Sequence, residues 1–239
     1  MSCRDKVLFI VNNPIIEKLF SAGAHFGLMP RYRHPSTAPY LFGKKGGIEL
    51  IDLEQTAQGL ENALSFVKTL AAERKIILFI GGKAEAREAL SKAALSIGAP
   101  YCASRWIGGT LTNWSEIRKR LARLEELTGI REKGELAKFT KRERLLIDRE
   151  INGLERMFGG LRSIQKLPDA LMVVDPRRES AAVTEAHSLS IPVVALLNTD
   201  CDRGNISYPI PGNDASRDTI RLVLDEISKT YAENLPPDA

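Results

Sequence analysis

Ile76-Ile77-Leu78-Phe79-Ile80-Gly81-Gly82-Lys83 is the stretch that decides the fold. Five apolar residues in a row leave no polar face, so the strand they predict has to be covered on both sides, the situation of a parallel sheet interior. Helices are therefore expected before and after it. Upstream, residues from about Gln55 to Arg74 place Ala57, Leu60, Leu64, Val67 and Leu70 on one helical face. Downstream, a helix runs from about Ala84 to Ile97 and closes at Gly98. Ile48 to Ile51 reads as a strand, and a short strand falls near Tyr101. Later, Ala170 to Val174 is a buried strand, Ser180 to Leu189 a helix, Val193 to Leu197 a strand, and Asp214 to about Tyr231 a last helix. This alternation predicts an α/β protein, a mostly parallel sheet flanked by helices in the Rossmann or flavodoxin manner.

Residues 105–160 break the alternation. Trp114, Ile117, Leu121 and Leu124 lay one seam along a helix that Gly129 can stop. A return arm opens at Thr140-Lys141-Arg142-Glu143, where hydroxyl and carboxylate can cap each other's amides, and continues its seam at Ile147, Ile151, Leu154 and Phe158 before Gly159 and Gly160. The spacing predicts an antiparallel coiled-coil hairpin over 105–160, inserted into an α/β domain made of 1–104 and 161–239.

Composition bounds the function. With 239 residues, 44% hydrophobic and 27% charged, the chain can bury a real core, which excludes general disorder. Val7 to Val11, which fits a short strand or an arm, is too short for a signal-peptide core or a membrane span, so a cytoplasmic protein without membrane contact is expected. Cys3, Cys102 and Cys201 form no Cys-x-x-Cys pair, which argues against a disulfide framework or zinc knuckle. The net charge of +4 is uneven: successive segments 1–50, 51–104, 105–160 and 161–239 balance to +4, 0, +4 and −4. A basic first part and basic hairpin opposite an acidic final third suit a chain that meets a polyanion on one side.

The basic loop of residues 24–47 sharpens this. No acidic residue lies between Glu17 and Glu49, while Arg31, Arg33, Lys44 and Lys45 are interleaved with Tyr32, Tyr40 and Phe42. Pro30, Pro35 and Pro39 exclude a continuous helix, so an extended loop is expected whose cations can neutralise phosphates. His25 and His34 read as structural.

Enzyme sites are harder to find. The alternative reading is a Rossmann-like enzyme acting on a phosphorylated small molecule, since loops at strand ends bind nucleotides. Gly81-Gly82-Lys83 sits in such a loop but lacks the phosphate-cradling glycine spacing, so Lys83 reads as a helix-start or RNA-facing cation. No nucleophile elbow is present, and His25, His34 and His187 make no acid-base set. Asp200-Cys201-Asp202 reads as loop surface rather than a metal site, Asp175-Pro176-Arg177-Arg178 as a turn, and Pro209 to Asp214 as a turn into a helix capped by Asn213 or Asp214. No catalytic residue, cofactor or metal is expected.

His25-Phe26-Gly27, Arg105-Trp106-Ile107-Gly108-Gly109-Thr110-Leu111-Thr112-Asn113-Trp114, Leu167-Pro168-Asp169-Ala170 and Ile210-Pro211-Gly212-Asn213-Asp214 occur in that order, and together they resemble the bacterial small-subunit ribosomal protein S-two family. Leu28 stands where that family often has a second His. The resemblance implies a non-enzymatic constituent of the small ribosomal subunit, a ribonucleoprotein component that supports translation. It would bind rRNA near the head-body junction, beside neighbouring small-subunit proteins and the OB-repeat protein S-one. By role, Arg31, Arg33, Lys44 and Lys45 are expected on phosphates, with Arg118, Lys119 and Arg120 reaching rRNA from the hairpin. Arg105, Trp106, Gly108, Gly109, Asn113 and Trp114 form the structural motif at the hairpin's root, the tryptophans packing and the glycines turning the chain.

Overall fold

The structure, a computed structural model, describes residues 14–236; the run Val7 to Val11 lies outside the described residues. Helix α1 (Pro14–Ser21) buries Ile16 and Leu19 and leads through two 3-10 turns, Pro30–Tyr32 and Pro35–Tyr40, into an antiparallel hairpin of β1 (Leu41–Lys45) and β2 (Ile48–Ile51). Here the structure corrects the sequence reading. The second half of the expected loop pairs with Ile48–Ile51, which stands apart from the main sheet. Gly46 and Gly47 sit at φ 60° and 81°, the two successive left-handed residues that the tightest hairpin turn demands.

The alternation follows as expected. Asp52 caps α2 (Leu53–Ala72) by accepting from the Glu54 amide. Then come β3 (Ile77–Ile80), α3 (Ala84–Ser96), β4 (Tyr101–Cys102), α4 (Trp114–Glu132), α5 (Lys141–Phe158), β5 (Ala170–Val174), α6 (Ser180–Ser188), β6 (Val193–Leu197), β7 (Tyr208–Pro211) and α7 (Arg217–Glu233). The sheet is parallel throughout, in the order β4-β3-β5-β6-β7. The chain adds β4 on one side of β3 and everything later on the other, so direction reverses between β3 and β5. That reversal is the switch point where doubly wound sheets place ligands.

Side chains alternate across the strands and feed two cores. Leu78, Ile80, Leu171, Val173, Val193 and Ala195 face one side; Ile77, Phe79, Ala170, Met172, Val194 and Leu196 face the other. The second side is covered by α2, α3 and α7, through residues such as Val67, Leu90 and Val223. The first is covered by α6 and by the pair α4–α5, whose seam residues Ile117, Leu121, Leu124, Leu127, Ile151, Leu154 and Phe158 join the sheet's own core. The helical spacing read from sequence thus picks the buried faces of both arms. The two helices touch, and Arg123 Nε donates to Glu150 Oε1 across them at 3.0 Å.

Three boundaries differ from expectation. Helix α4 runs through Gly129 to Glu132, since one interior glycine costs only about 1 kcal/mol while Leu127 is buried beside it; the left-handed residue is Gly134, φ 71°. Pro209 and Pro211 disguised β7, but an edge strand tolerates residues without an N–H. Helix α7 is capped by Ser216, which accepts from Thr219 N, rather than by Asn213 or Asp214. The return arm begins as read, with the Thr140–Glu143 capping box formed in both directions.

Candidate nucleic-acid interface

The switch point is filled by the protein itself. Lys83, at the start of α3, extends its ammonium to 2.8 Å from Asp175 Oδ2 and 2.7 Å from Asp214 Oδ2, tying the ends of β3, β5 and β7 together. Asn198 Nδ2 donates to the other Asp214 oxygen at 2.9 Å. Burial alone would lower the Lys83 pKa, but Asp214 and Asp175 more than reverse it and hold the ammonium charged. Burial raises the Asp214 pKa, opposed by Lys83 and reinforced by Asp175. Asp175 stands at φ 62°, fixed by its own Oδ1 accepting from Arg178 N at 3.1 Å. The reading of Lys83 as an RNA-facing cation is thereby corrected. Asp175, Cys201 and Asp214 offer ligand atoms within 4.8 Å of one another, but the Lys83 ammonium already binds both carboxylates, and burial pushes the Cys201 thiol strongly up. Gly82 N donates to buried Glu179 at 3.0 Å, and a Cβ on Gly82 would meet Glu179 Oε1 and Ser104 O.

The Arg105–Trp114 motif is organised by one carboxylate on α6. Glu185 Oε1 accepts from Trp106 Nε1 at 3.0 Å and Gly109 N at 2.8 Å; its Oε2 accepts from Leu111 N at 2.9 Å and Thr112 N at 3.2 Å. Burial works to raise the Glu185 pKa, yet these donors from Trp106, Leu111, Gly109 and Thr112 hold it below the ordinary carboxylate value. Trp106 is buried in the sheet's core and Trp114 packs half-buried against it. Gly109 takes φ 87°, which only glycine adopts without strain, whereas Gly108 faces open space. Asn113 is the residue before α4, and Arg105 is exposed with no acidic partner among the described residues.

The expected phosphate-binding cations divide into two groups. Lys44 and Lys45 stand exposed on β1, and Arg118 and Arg120 on α4, with no ion pair among the described residues. Arg31 is exposed and lies over the Tyr32 ring at 4.5 Å. Arg33, by contrast, binds Glu49 at 3.2 Å, and Glu49 is completely buried. Lys119 pairs with Glu116 at 2.6 Å on its own helix. Because Glu49 is buried, the run from residue 18 through 49, which has no other acidic residue, presents cations and no exposed carboxylate.

Residues 19–234 match the ribosomal protein S2 family. The chain belongs to that family. Relatives named small ribosomal subunit protein uS2, from Mycolicibacterium vanbaalenii, Nocardia farcinica and Mycobacteroides abscessus, are each 41% identical over 220 residues. The alignments cover 92% of this chain and 81%, 77% and 79% of those proteins. It is a family of structural, non-enzymatic proteins, in keeping with a switch point closed by Lys83. For this member of the S2 family, sequence reasoning missed Glu185, Glu49 and Asp214 as organising residues. Only a contact 79, 16 or 131 positions away gives each its role, and no local pattern carries that information. Asp169 is a milder case: it follows the quoted Leu167-Pro168 and its carboxylate accepts from Ile76 N at 2.9 Å, aligning the edges of β3 and β5.

Proposed function

We propose that this S2-family chain is a structural constituent of the small ribosomal subunit that binds its rRNA near the head-body junction and so supports translation in the cytoplasm. The observation that carries the reading is the set of exposed cations that make no ion pair among the described residues, Arg31, Lys44 and Lys45 on a first segment with no acidic residue between Glu17 and Glu49, and Arg118 and Arg120 on α4. Guanidinium and ammonium groups that no carboxylate neutralises are available to phosphates, and each such contact releases counterions from the RNA. Arg33 and Lys119 join them as secondary contacts, keeping further donors free while paired. In this reading residues 105–160 act as an inserted hairpin that presents its outer face to rRNA. Residues 1–104 and 161–239 form the α/β body, whose acidic final third faces protein neighbours, S-one among them.

Names of the relatives support the subunit, and the absence from the described residues of any helix long and apolar enough to cross a membrane is compatible with it. The test is sucrose-gradient fractionation of native lysate with the protein followed by mass spectrometry. Co-migration with the small subunit at low salt, weakening at high salt, is expected. Absence from ribosomal fractions at low salt overturns the proposal.

A further inference from the structure

A cleft of about 340 Å³ opens where the end of α5 meets the edge strand β4. Its walls are Arg87 of α3, the stretch Tyr101 to Ser104, Arg156 of α5 and Gly159–Gly160. Two arginines from segments far apart in sequence thus converge on one concave surface that none of the expected contacts includes.

Charge on this surface is uncompensated. Arg87 and Arg156 are exposed and make no ion pair among the described residues. Neither has an acid three or four positions away, in contrast to three other exposed helix cations, Lys119 with Glu116, Arg123 with Glu126 and Arg221 with Asp218. Arg87 also stands in the first turn of α3, the end of a helix where the backbone dipole disfavours a cation and favours an anion. Glu155 lines the cleft as its one acid, but its carboxylate is engaged by Arg162. Arg105, exposed and without an ion pair among the described residues, directly follows the lining residue Ser104. A wall of glycine backbone keeps the cleft open, and Gly160 is obligatory there because a Cβ would collide with the Tyr101 carbonyl oxygen.

We propose that this cleft holds the phosphodiester backbone of rRNA, clamped between Arg87 and Arg156. The inference rests on the rRNA-binding reading above and adds a contact at the hairpin's root. A cleft of this size lined by two arginines fits one or two phosphates with their ribose, and the planar fork of arginine suits phosphate oxygens in pairs. A carboxylate-bearing protein segment is the competing occupant. It is less favoured because β4 is only two residues long and offers an added strand little backbone to pair with.

The test measures binding of the full chain to a small-subunit rRNA transcript across a salt series. The variants are Arg87→Gln with Arg156→Gln, Arg87→Lys with Arg156→Lys, and Arg118→Gln with Arg120→Gln. The expected result is that the glutamine cleft variant weakens binding and flattens the slope of log K against log salt by about 1 to 2 units, while the lysine variant keeps most of the slope. Unchanged melting temperatures show that each variant is folded, as exposure of both arginines predicts. If the cleft variant keeps the wild-type slope while the Arg118 and Arg120 variant loses slope, the cleft is not a phosphate site and the function stands. If the wild-type chain binds no rRNA, both readings fail.

Discussion

Replacing Glu185 by Gln tests whether one carboxylate holds the hairpin's root. Both oxygens are used: Oε1 by Trp106 Nε1 and Gly109 N, Oε2 by Leu111 N and Thr112 N. Glutamine keeps one oxygen and turns an NH2 toward the other pair of donors, so two bonds to a charged acceptor are lost and their amides face a donor. Bonds to charged groups contribute about 1.5–3 kcal/mol each. Because Glu185 is only partly shielded from water, the lower part of that range applies, and a loss of about 2–4 kcal/mol is expected. Urea unfolding measures it, and hydrogen exchange of the Gly109, Leu111 and Thr112 amides locates it. The pH dependence has a definite sign. The folded pKa of Glu185 lies below its unfolded value, so its contribution is complete above about pH 4.3 and disappears as pH falls through the folded pKa. The difference between wild type and variant should therefore be full at pH 7 and shrink in acid. A destabilisation under about 0.5 kcal/mol, with unchanged exchange at those three amides, would refute the reasoning.

Arg33→Ala should cost about 3 kcal/mol by leaving the fully buried Glu49 carboxylate unpaired, a loss seen in denaturant midpoints without any RNA present. Lys83→Met should destabilise by a similar amount, about 3 kcal/mol, and part of the loss should return as pH falls. Asp214, whose folded pKa is already raised, can then accept a proton in place of its lost partner; melting temperatures at pH 8 and pH 5 check this. Cys102, buried with its pKa pushed up to about 11, should resist iodoacetamide at neutral pH until the protein unfolds, as mapped by peptide mass spectrometry.

The fold was legible because its signals are local. A run such as Ile77–Ile80 has no polar face to expose, the period of Ile117, Leu121 and Leu124 picks a helix face, and Thr140 with Glu143 marks a helix start within four residues. Even the places where the reading failed have local causes. Gly46-Gly47 folds the basic segment back on itself, and Pro209 and Pro211 suppress a strand pattern that an edge position tolerates.

The candidate interface was less legible, because whether a cation is available depends on acids that only the fold brings near. Counting charges along the chain treats Arg33, Lys44, Lys83 and Arg118 alike. In the folded protein Arg33 neutralises Glu49 sixteen residues away and Lys83 neutralises Asp214 more than a hundred residues away, while Lys44 and Arg118 make no ion pair among the described residues. Pairs on one helix, such as Lys119 with Glu116, are visible in the sequence at spacing three; pairs between elements are not. The same subtraction works in the other direction. Arg87 lies in a segment of balanced charge and Arg156 on the basic hairpin but outside the expected contacts, yet both make no ion pair among the described residues and share one cleft. If phosphate binding follows uncompensated charge rather than total charge, salt slopes should fall for variants of Arg87, Arg118, Arg120, Lys44 and Lys45. For Arg33 the loss should instead fall mainly on stability.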